Sequence, residues 1–207
     1  MRNALLAALL TTLTLAPVWA GQYNAVISIG DPLPAFANLP ATDGSSYSST
    51  DFNSDVLVLV SLANHCPWVR GMDAGLVNLV KQFKGQSVRV VGFAVNHRDE
   101  DRLPAMVEHA RKAGYNFTYV YDDSQQLGRD LGATRTPEYF VFGPDRKLAY
   151  TGLLTNSPGR ITRDGKVLYT NGEPSQFFVH DAIAAVLAGR SPDPAETRAQ
   201  GCSVVYD

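Results

Sequence analysis

The chain of 207 residues contains only two cysteines, Cys66 and Cys202. Two cysteines are too few for the disulfide framework that stabilises many small secreted domains, so a specific chemical role is expected for them instead. The chain is long enough to bury a sizeable core without such covalent support. The sequence also lacks internal repeats and low-complexity tracts, which excludes repeat architectures.

An excess of charge of either sign is also lacking. The chain has 18 Lys and Arg against 20 Asp and Glu, a formal net charge of −2. This balance gives no electrostatic reason to expect nucleic acid or an anionic membrane as a partner. A phosphate-cradling glycine loop and a serine nucleophile elbow are missing as well, which argues against phosphate-binding and serine-hydrolase classes. We also expect no cofactor.

No apolar run is long enough for a confident membrane span. Residues 1–20 instead combine Arg2, an apolar stretch and the end Val18-Trp19-Ala20, a pattern typical of a secretory signal cleaved after Ala20. The alternative is an anchor that is retained. Cleavage predicts a periplasmic or secreted protein without stable membrane association, in a compartment where disulfides persist. The mature chain then divides into one domain, 21–190, and a C-terminal tail, 191–207, that carries Cys202.

The segment Asn64-His65-Cys66-Pro67-Trp68-Val69 places a thiol where a strand meets a helix. Residues 55–62 form a short, continuous, β-branched run, which predicts a strand covered on both faces. Pro67 fits the first position of a helix. Unpaired backbone amides and the positive end of the helix dipole favour the thiolate of Cys66, the reactive form. A buried structural cysteine is the alternative interpretation.

The remaining apolar pattern predicts alternating strands and helices. Strands are expected at 24–30, 88–95, 117–121, 139–142 and 148–151, helices at 67–84, 104–113, 125–131 and 175–187, and a hairpin at 161–169. This order predicts an α/β fold with a mixed central β-sheet and helices on both of its faces.

From Gly30 to about Leu187 the chain resembles the thioredoxin-fold redoxins, which include peroxiredoxins and periplasmic thiol-disulfide proteins. Four features carry the resemblance: Gly30-Asp31-x-x-Pro34-x-Phe36, the Asp43-Gly44 turn with Asp51-Phe52, the strand leading into His65-Cys66-Pro67, and Thr134-Arg135-Thr136-Pro137-Glu138. An uncharacterised redoxin-like subgroup shares Asn-His-Cys-Pro and a Gly-Cys near the C-terminus, here Gly201-Cys202. The resemblance implies a thioredoxin-like fold with an N-terminal extension and an antioxidant or thiol-disulfide oxidoreductase.

The resemblance also implies roles for individual residues around Cys66. Pro137 is expected to be cis and Thr136 to offer its backbone beside Cys66, where thioredoxin-fold proteins dock an extended substrate segment. Arg135 is expected to hold an anion or stabilise the thiolate, with a solvent-facing arginine as the alternative. Trp68 is a candidate platform for a substrate chain, although core packing would explain it equally.

Three positions depart from the family patterns. The second cysteine of thioredoxins, three residues after the first, is replaced by Val69, so no local disulfide can form. The hydroxyl residue and the proline that precede the peroxidatic cysteine of typical peroxiredoxins are replaced by Ala63 and Leu59. These differences place ordinary peroxidase activity in doubt, together with a redox cycle confined to one loop.

Cys202 could supply the missing second thiol. A thiolate that attacks a disulfide or becomes a sulfenic acid needs another thiol to resolve it. Residues 191–200 are polar and proline-rich and could act as a strap that returns Cys202 to the helix start. We therefore hypothesise a reversible disulfide between Cys66 and Cys202. A free or intermolecularly paired Cys202 on a mobile tail is the alternative.

The sequence therefore predicts thiol-based redox chemistry, with Cys66 as nucleophile, an imidazolium of His65 favouring its thiolate, and Cys202 as resolving thiol. The partners would be protein thiols and disulfides or a peroxide, and a reductant that the sequence does not identify. One alternative is binding or delivery of a soft metal such as copper or zinc by His65, Cys66 and Cys202, with the candidate distant histidines His97, His109 and His180. A second alternative is a binding module that retains the fold without the chemistry.

Overall fold

The computed structural model describes residues 21–207, so the predicted signal peptide lies outside the described residues. Within that range no helix is long and apolar enough to cross a membrane. The strands are β1 Leu39–Pro40, β2 Ser46–Tyr47, β3 Val56–Ser61, β4 Val88–Ala94, β5 Thr118–Tyr121, β6 Arg135–Thr136, β7 Glu138–Phe142, β8 Leu148–Gly152, β9 Gly159–Ile161, β10 Val167–Tyr169 and β11 Cys202–Ser203, and the helices are α1 Pro67–Gln82, α2 Leu103–Ala113, α3 Gln126–Asp130 and α4 Phe178–Leu187.

Five strands form the central sheet in the order β5-β4-β3-β7-β8. Strands β3, β4 and β5 are parallel, whereas β7 runs antiparallel to β3 and β8 antiparallel to β7. Three antiparallel pairs lie outside this sheet: β1 with β2, β9 with β10, and β6 with β11. The mixed sheet confirms the sequence-based prediction of the fold class.

Strand β3 lies at the centre of the sheet, and all six of its residues are buried. Successive side chains of a strand point to opposite faces. Val56, Val58 and Val60 therefore pack with residues of α1, α2 and α4 in one apolar cluster. Leu57 and Leu59 pack on the other face with residues of α3 and of the N-terminal segment. Helices on both faces were predicted, and this arrangement confirms them.

The strand predicted at 24–30 is wrong, since the structure has irregular backbone there. The buried side chain of Asn24 accepts hydrogen bonds from the backbone N–H groups of Val26 and Ile27 and donates one to the carbonyl of Leu131. A short polar side chain that satisfies neighbouring backbone groups competes with strand pairing. Ile27 is buried in the second cluster, so the segment packs against the domain as the expected N-terminal extension.

Helix α1 lies against β9, and Gly71 permits the close approach. A Cβ at Gly71 would lie 2.5 Å from the carbonyl oxygen of Gly159 and 2.7 Å from Cα of Arg160. We expect Gly71→Ala to lower the free energy of unfolding by about 1–3 kcal/mol, because backbone atoms cannot move aside cheaply. Chemical denaturation measures this.

Gly75 in the same helix provides the matched control. A Cβ there would meet first a methyl carbon of Leu154 at 3.3 Å, the end of a flexible side chain. Gly75→Ala should therefore cost less than Gly71→Ala. Equal denaturation midpoints for the two variants would show that the approach of α1 to β9 does not depend on the absence of a side chain at Gly71.

Candidate functional site

Cys66 is the N-cap residue of α1, directly after the end of β3 and its following turn. Pro67 occupies the first turn of the helix, as the sequence predicted. The backbone N–H of Cys66 donates to Ala63 at 3.1 Å, and its carbonyl accepts from Arg70 at 3.1 Å. The side chain makes no capping hydrogen bond, so the sulfur is available for other contacts.

The sulfur of Cys66 lies 2.6 Å from the sulfur of Cys202 and 3.1 Å from the carbonyl oxygen of Thr136. A disulfide bond measures about 2.05 Å, and both cysteines are free in the structure. Cys66 is fully buried, whereas Cys202 is partly exposed. A molecule that approaches from solvent therefore meets Cys202 first, and Cys66 lies beneath it among polar as well as apolar atoms.

The tail reaches this position by pairing with the edge of β6. Cys202 lies opposite Thr136 and Ser203 opposite Arg135 in an antiparallel register. The Thr136–Pro137 peptide bond is cis, as the resemblance implied. A Cβ at Gly201 would overlap the carbonyl oxygen of Thr136, so the residue before Cys202 must be glycine for this pairing to form.

The surroundings of Cys202 favour its protonated form. Burial raises the pKa of the Cys202 thiol, the adjacent Cys66 raises it further, and the result is a pKa of about 12. The backbone N–H of Trp68, in the first turn of α1, acts in the opposite direction by hydrogen bonding to the Cys202 sulfur. In the reduced protein Cys202 therefore retains its proton at neutral pH.

Trp68 itself is partly buried and packs against the apolar cluster that contains α1. The cluster also receives Cys202 at its margin. Core packing accounts for the position of the indole, and its predicted contact with a substrate chain stays a prediction.

His65 is held by a carboxylate that the sequence interpretation missed. Nδ1 of His65 lies 2.5 Å from Oδ2 of Asp101, and the backbone N–H of His65 donates to Oδ1 at 3.2 Å. The Asp101 side chain is fully buried and that of His65 is 19% exposed. Asp101 follows a charged run at residues 97–100, and no sequence signal distinguished it as the acidic residue that turns inward.

Arg135 extends from β6 toward the tail. Its guanidinium donates a hydrogen bond to Oγ of Ser203. The neighbouring carboxylate of Glu138 accepts hydrogen bonds from the backbone N–H groups of Thr134 and Arg135, at 2.9 Å and 3.1 Å. Burial raises the pKa of Glu138, and these two hydrogen bonds and the charge of Arg135 oppose the shift. The predicted action of Arg135 on an anion or thiolate stays a prediction.

The distant histidines considered as metal ligands have other partners. His97 bonds to Asp207, His109 lies 3.2 Å from Asp73, and His180 lies 3.0 Å from Asp181. Among residues 21–207 no group of three or more His, Cys, Asp or Glu side chains is arranged to hold a metal ion. The metal-binding alternative therefore lacks a ligand set in the described part of the chain.

The family model described as Redoxin matches residues 28–165. No curated protein sequence matches the chain significantly. Two solved structures are similar over nearly the whole chain. An uncharacterised conserved protein from Geobacillus kaustophilus is 28% identical with a TM-score of 0.79, covering 89% of this chain and 95% of that one. A hypothetical protein from Sinorhizobium meliloti is 25% identical with a TM-score of 0.76, covering 87% and 96%.

More distant structures share the fold. A putative thiol:disulfide interchange protein from Chlorobium tepidum has 22% identity and a TM-score of 0.53, covering 60% of this chain and 84% of that one. The site is built on a cysteine at a helix N-terminus, and the family model spans both this cysteine and the Thr136–Pro137 segment. The chain therefore belongs to the Redoxin family, as its motifs predicted, and is an oxidoreductase with a thioredoxin-like fold.

Proposed function

We propose that the protein catalyses thiol-disulfide exchange outside the cytoplasm, with Cys66 and Cys202 as its redox-active pair. The separation of 2.6 Å between their sulfur atoms, across 136 residues of sequence, is the observation that carries this proposal. Both cysteines of the chain lie together at the apolar cluster that contains α1, with Cys66 buried in it and Cys202 packed against it. A disulfide between them would persist in an oxidising compartment, which agrees with the secretory signal read from residues 1–20.

The forward reaction consists of two exchange steps. Because Cys66 is buried beneath Cys202, the tail must first move aside and expose the sulfur. The Cys66 thiolate then attacks one sulfur of a substrate disulfide, forms a mixed disulfide and releases the other substrate sulfur as a thiolate. Cys202 then gives its proton to the released substrate thiolate and attacks the Cys66 sulfur, which forms the Cys66–Cys202 bond and releases the second substrate sulfur as a thiolate that takes a proton from solvent. Two protein thiols are oxidised, and one substrate disulfide is reduced to two thiols.

The helix N-terminus supports Cys66 in both directions of this exchange. The positive end of α1 stabilises a thiolate at Cys66 both as attacking group and as leaving group. Cys202, whose pKa is about 12 in the reduced protein, supplies the thiol that keeps its proton until the mixed disulfide has formed. An external thiol of the reductant returns the pair to the dithiol form by the reverse steps.

Apolar side chains favour a disulfide over a peroxide as the substrate. Leu59 and Ala63 are fully buried and carry no group that could orient a peroxide by hydrogen bonding. The positions that hold proline and a hydroxyl residue in typical peroxiredoxins thus contribute only packing. We therefore expect Cys66 to react with hydrogen peroxide no faster than a small-molecule thiol does.

Equilibration with a glutathione redox couple tests the proposal. We expect the protein to lose two thiols together, and mass spectrometry of peptides to link Cys66 with Cys202. Incubation with hydrogen peroxide is the comparison, and Cys66 should react with it no faster than a small-molecule thiol. If both protein thiols stay free in the presence of oxidised glutathione, thiol-disulfide exchange is refuted. Rapid oxidation by peroxide alone would assign the site to peroxide reduction instead.

A further inference from the structure

Residues 205–207, which follow Cys202 closely in the sequence, are anchored by contacts with residues other than the cysteines. Tyr206 donates its hydroxyl hydrogen to the carbonyl of Ala133 at 2.6 Å, and the Arg129 guanidinium lies 4.7 Å from the centre of its ring. A Cβ at Gly128 would lie 2.8 Å from the Tyr206 hydroxyl oxygen, so this end of the partly buried ring packs closely against Gly128. A side chain held by a hydrogen bond, a cation and close packing is fixed in place.

Gln125 forms the second part of this anchor. Its side-chain amide is buried, accepts from the backbone N–H of Asp207 at 2.9 Å and donates to the carbonyl of Val205 at 3.1 Å. Its backbone has φ of 61°, a left-handed conformation that is unfavourable for a side chain larger than asparagine. The unfavourable backbone conformation of this glutamine is consistent with a role of its amide in holding the tail.

Further contacts hold the tail against the domain along its length. The backbone N–H groups of Val204 and Val205 donate to Thr134 O at 3.0 Å and Asn96 Oδ1 at 3.1 Å. Nδ1 of His97 lies 2.5 Å from a carboxylate oxygen of Asp207, the last residue. From Cys202 to the C-terminus the chain thus lies along the domain in an extended conformation.

We infer that Gln125 and Tyr206 are positioning residues for the exchange reaction, because they hold the tail so that Cys202 covers Cys66. This inference rests on the proposed function. A thiol on a flexible strap reacts at an effective concentration of about millimolar, whereas a fixed neighbour reacts far faster. The same anchor shields Cys66 from solvent, so its loss should weaken the intrachain disulfide and expose Cys66 to external disulfides.

Tyr206→Ala and Gln125→Gly test the inference in the full chain. Glycine retains the left-handed backbone at position 125 while removing the amide. We expect the equilibrium constant of the Cys66–Cys202 disulfide against glutathione to fall at least about tenfold in each variant. The rate at which oxidised glutathione modifies Cys66 in the reduced protein, measured by peptide mapping, should rise at least about tenfold.

Val205→Ala is the matched control, because this side chain is 61% exposed and its backbone hydrogen bonds remain. The equilibrium constant of its Cys66–Cys202 disulfide and the rate at which oxidised glutathione modifies its Cys66 should equal those of the wild type. The melting temperature of each variant is measured in parallel. It distinguishes loss of the anchor from unfolding of the whole domain. Unchanged constants in Tyr206→Ala and Gln125→Gly, or the same changes in Val205→Ala, would overturn the inference.

The outcome separates this inference from the proposed function. If the wild-type protein forms no Cys66–Cys202 disulfide, thiol-disulfide exchange by this pair fails, yet the modification rate of Cys66 still tests the anchor. If the wild type forms the disulfide and the variants behave identically, the exchange proposal stands and the positioning role is refuted.

Discussion

Cys66→Ser should lower the rate at which the reduced protein consumes oxidised glutathione by at least about 1,000-fold. Substitution of a catalytic nucleophile produces losses of this order or larger. A serine hydroxyl at the start of α1 cannot form a sulfur–sulfur bond, and burial still raises the pKa of the Cys202 thiol beside it. Single-turnover mixing followed by mass spectrometry measures the consumption directly.

Cys202→Ser is the matched control for this experiment. The first exchange step remains available to Cys66, so one glutathione should accumulate on Cys66 as a stable mixed disulfide. A variant that instead completes both steps at the wild-type rate would show that Cys202 does not resolve the intermediate. Retained consumption in Cys66→Ser, with the adduct on Cys202, would reverse the two roles.

His65→Ala should lower the free energy of unfolding by about 2–4 kcal/mol, because it leaves a fully buried carboxylate without its side-chain partner. The contact joins Nδ1 of His65 to Asp101 at 2.5 Å, and removal of either side chain leaves the other without this side-chain partner. Asp101→Ala should therefore be comparably destabilising, and the double variant should lose much less than the sum. Chemical denaturation of the four proteins of this cycle provides the coupling energy.

A second histidine–aspartate pair provides the control. His109 lies 3.2 Å from Asp73, with both side chains 16% exposed. His109→Ala should destabilise the protein without changing the reaction of Cys66 with glutathione. If His65→Ala slows that reaction and His109→Ala does not, His65 favours the thiolate as the sequence suggested. Additive losses in the cycle would instead contradict a direct bond between His65 and Asp101.

Local patterns predicted most of the elements that build the site. The β-branched run of β3, the proline after Cys66 and the apolar spacing of α1 are all contained in short stretches of sequence, and the structure confirms them. The segment at 24–30 misled, because Asn24 bonds to its own neighbouring backbone in place of a partner strand. A pattern of apolar residues does not reveal such a competing hydrogen bond.

Local sequence patterns predicted the arrangement of the site far less completely. The motif around Cys66 and the Thr134–Glu138 motif identified residues individually, whereas Asp101 lay in a charged run with no distinguishing feature. Gln125 gave no signal either, since a left-handed backbone conformation at a glutamine is not encoded in the residue type. Each of these residues acquires its role from a partner at least thirty residues away.

By itself, the sequence determined that a lone thiol would lie where a buried strand turns into a helix, because hydrophobic periodicity and helix-start residues act over a few positions. It also determined the family, through motifs that each span a few residues. Only the tertiary structure decided what covers that thiol. The pairing of β11 with β6 and the anchor at Tyr206 join parts of the chain separated by more than sixty residues. Backbone hydrogen bonds between distant segments leave no periodic trace in either segment, so their register emerges only when the domain has folded.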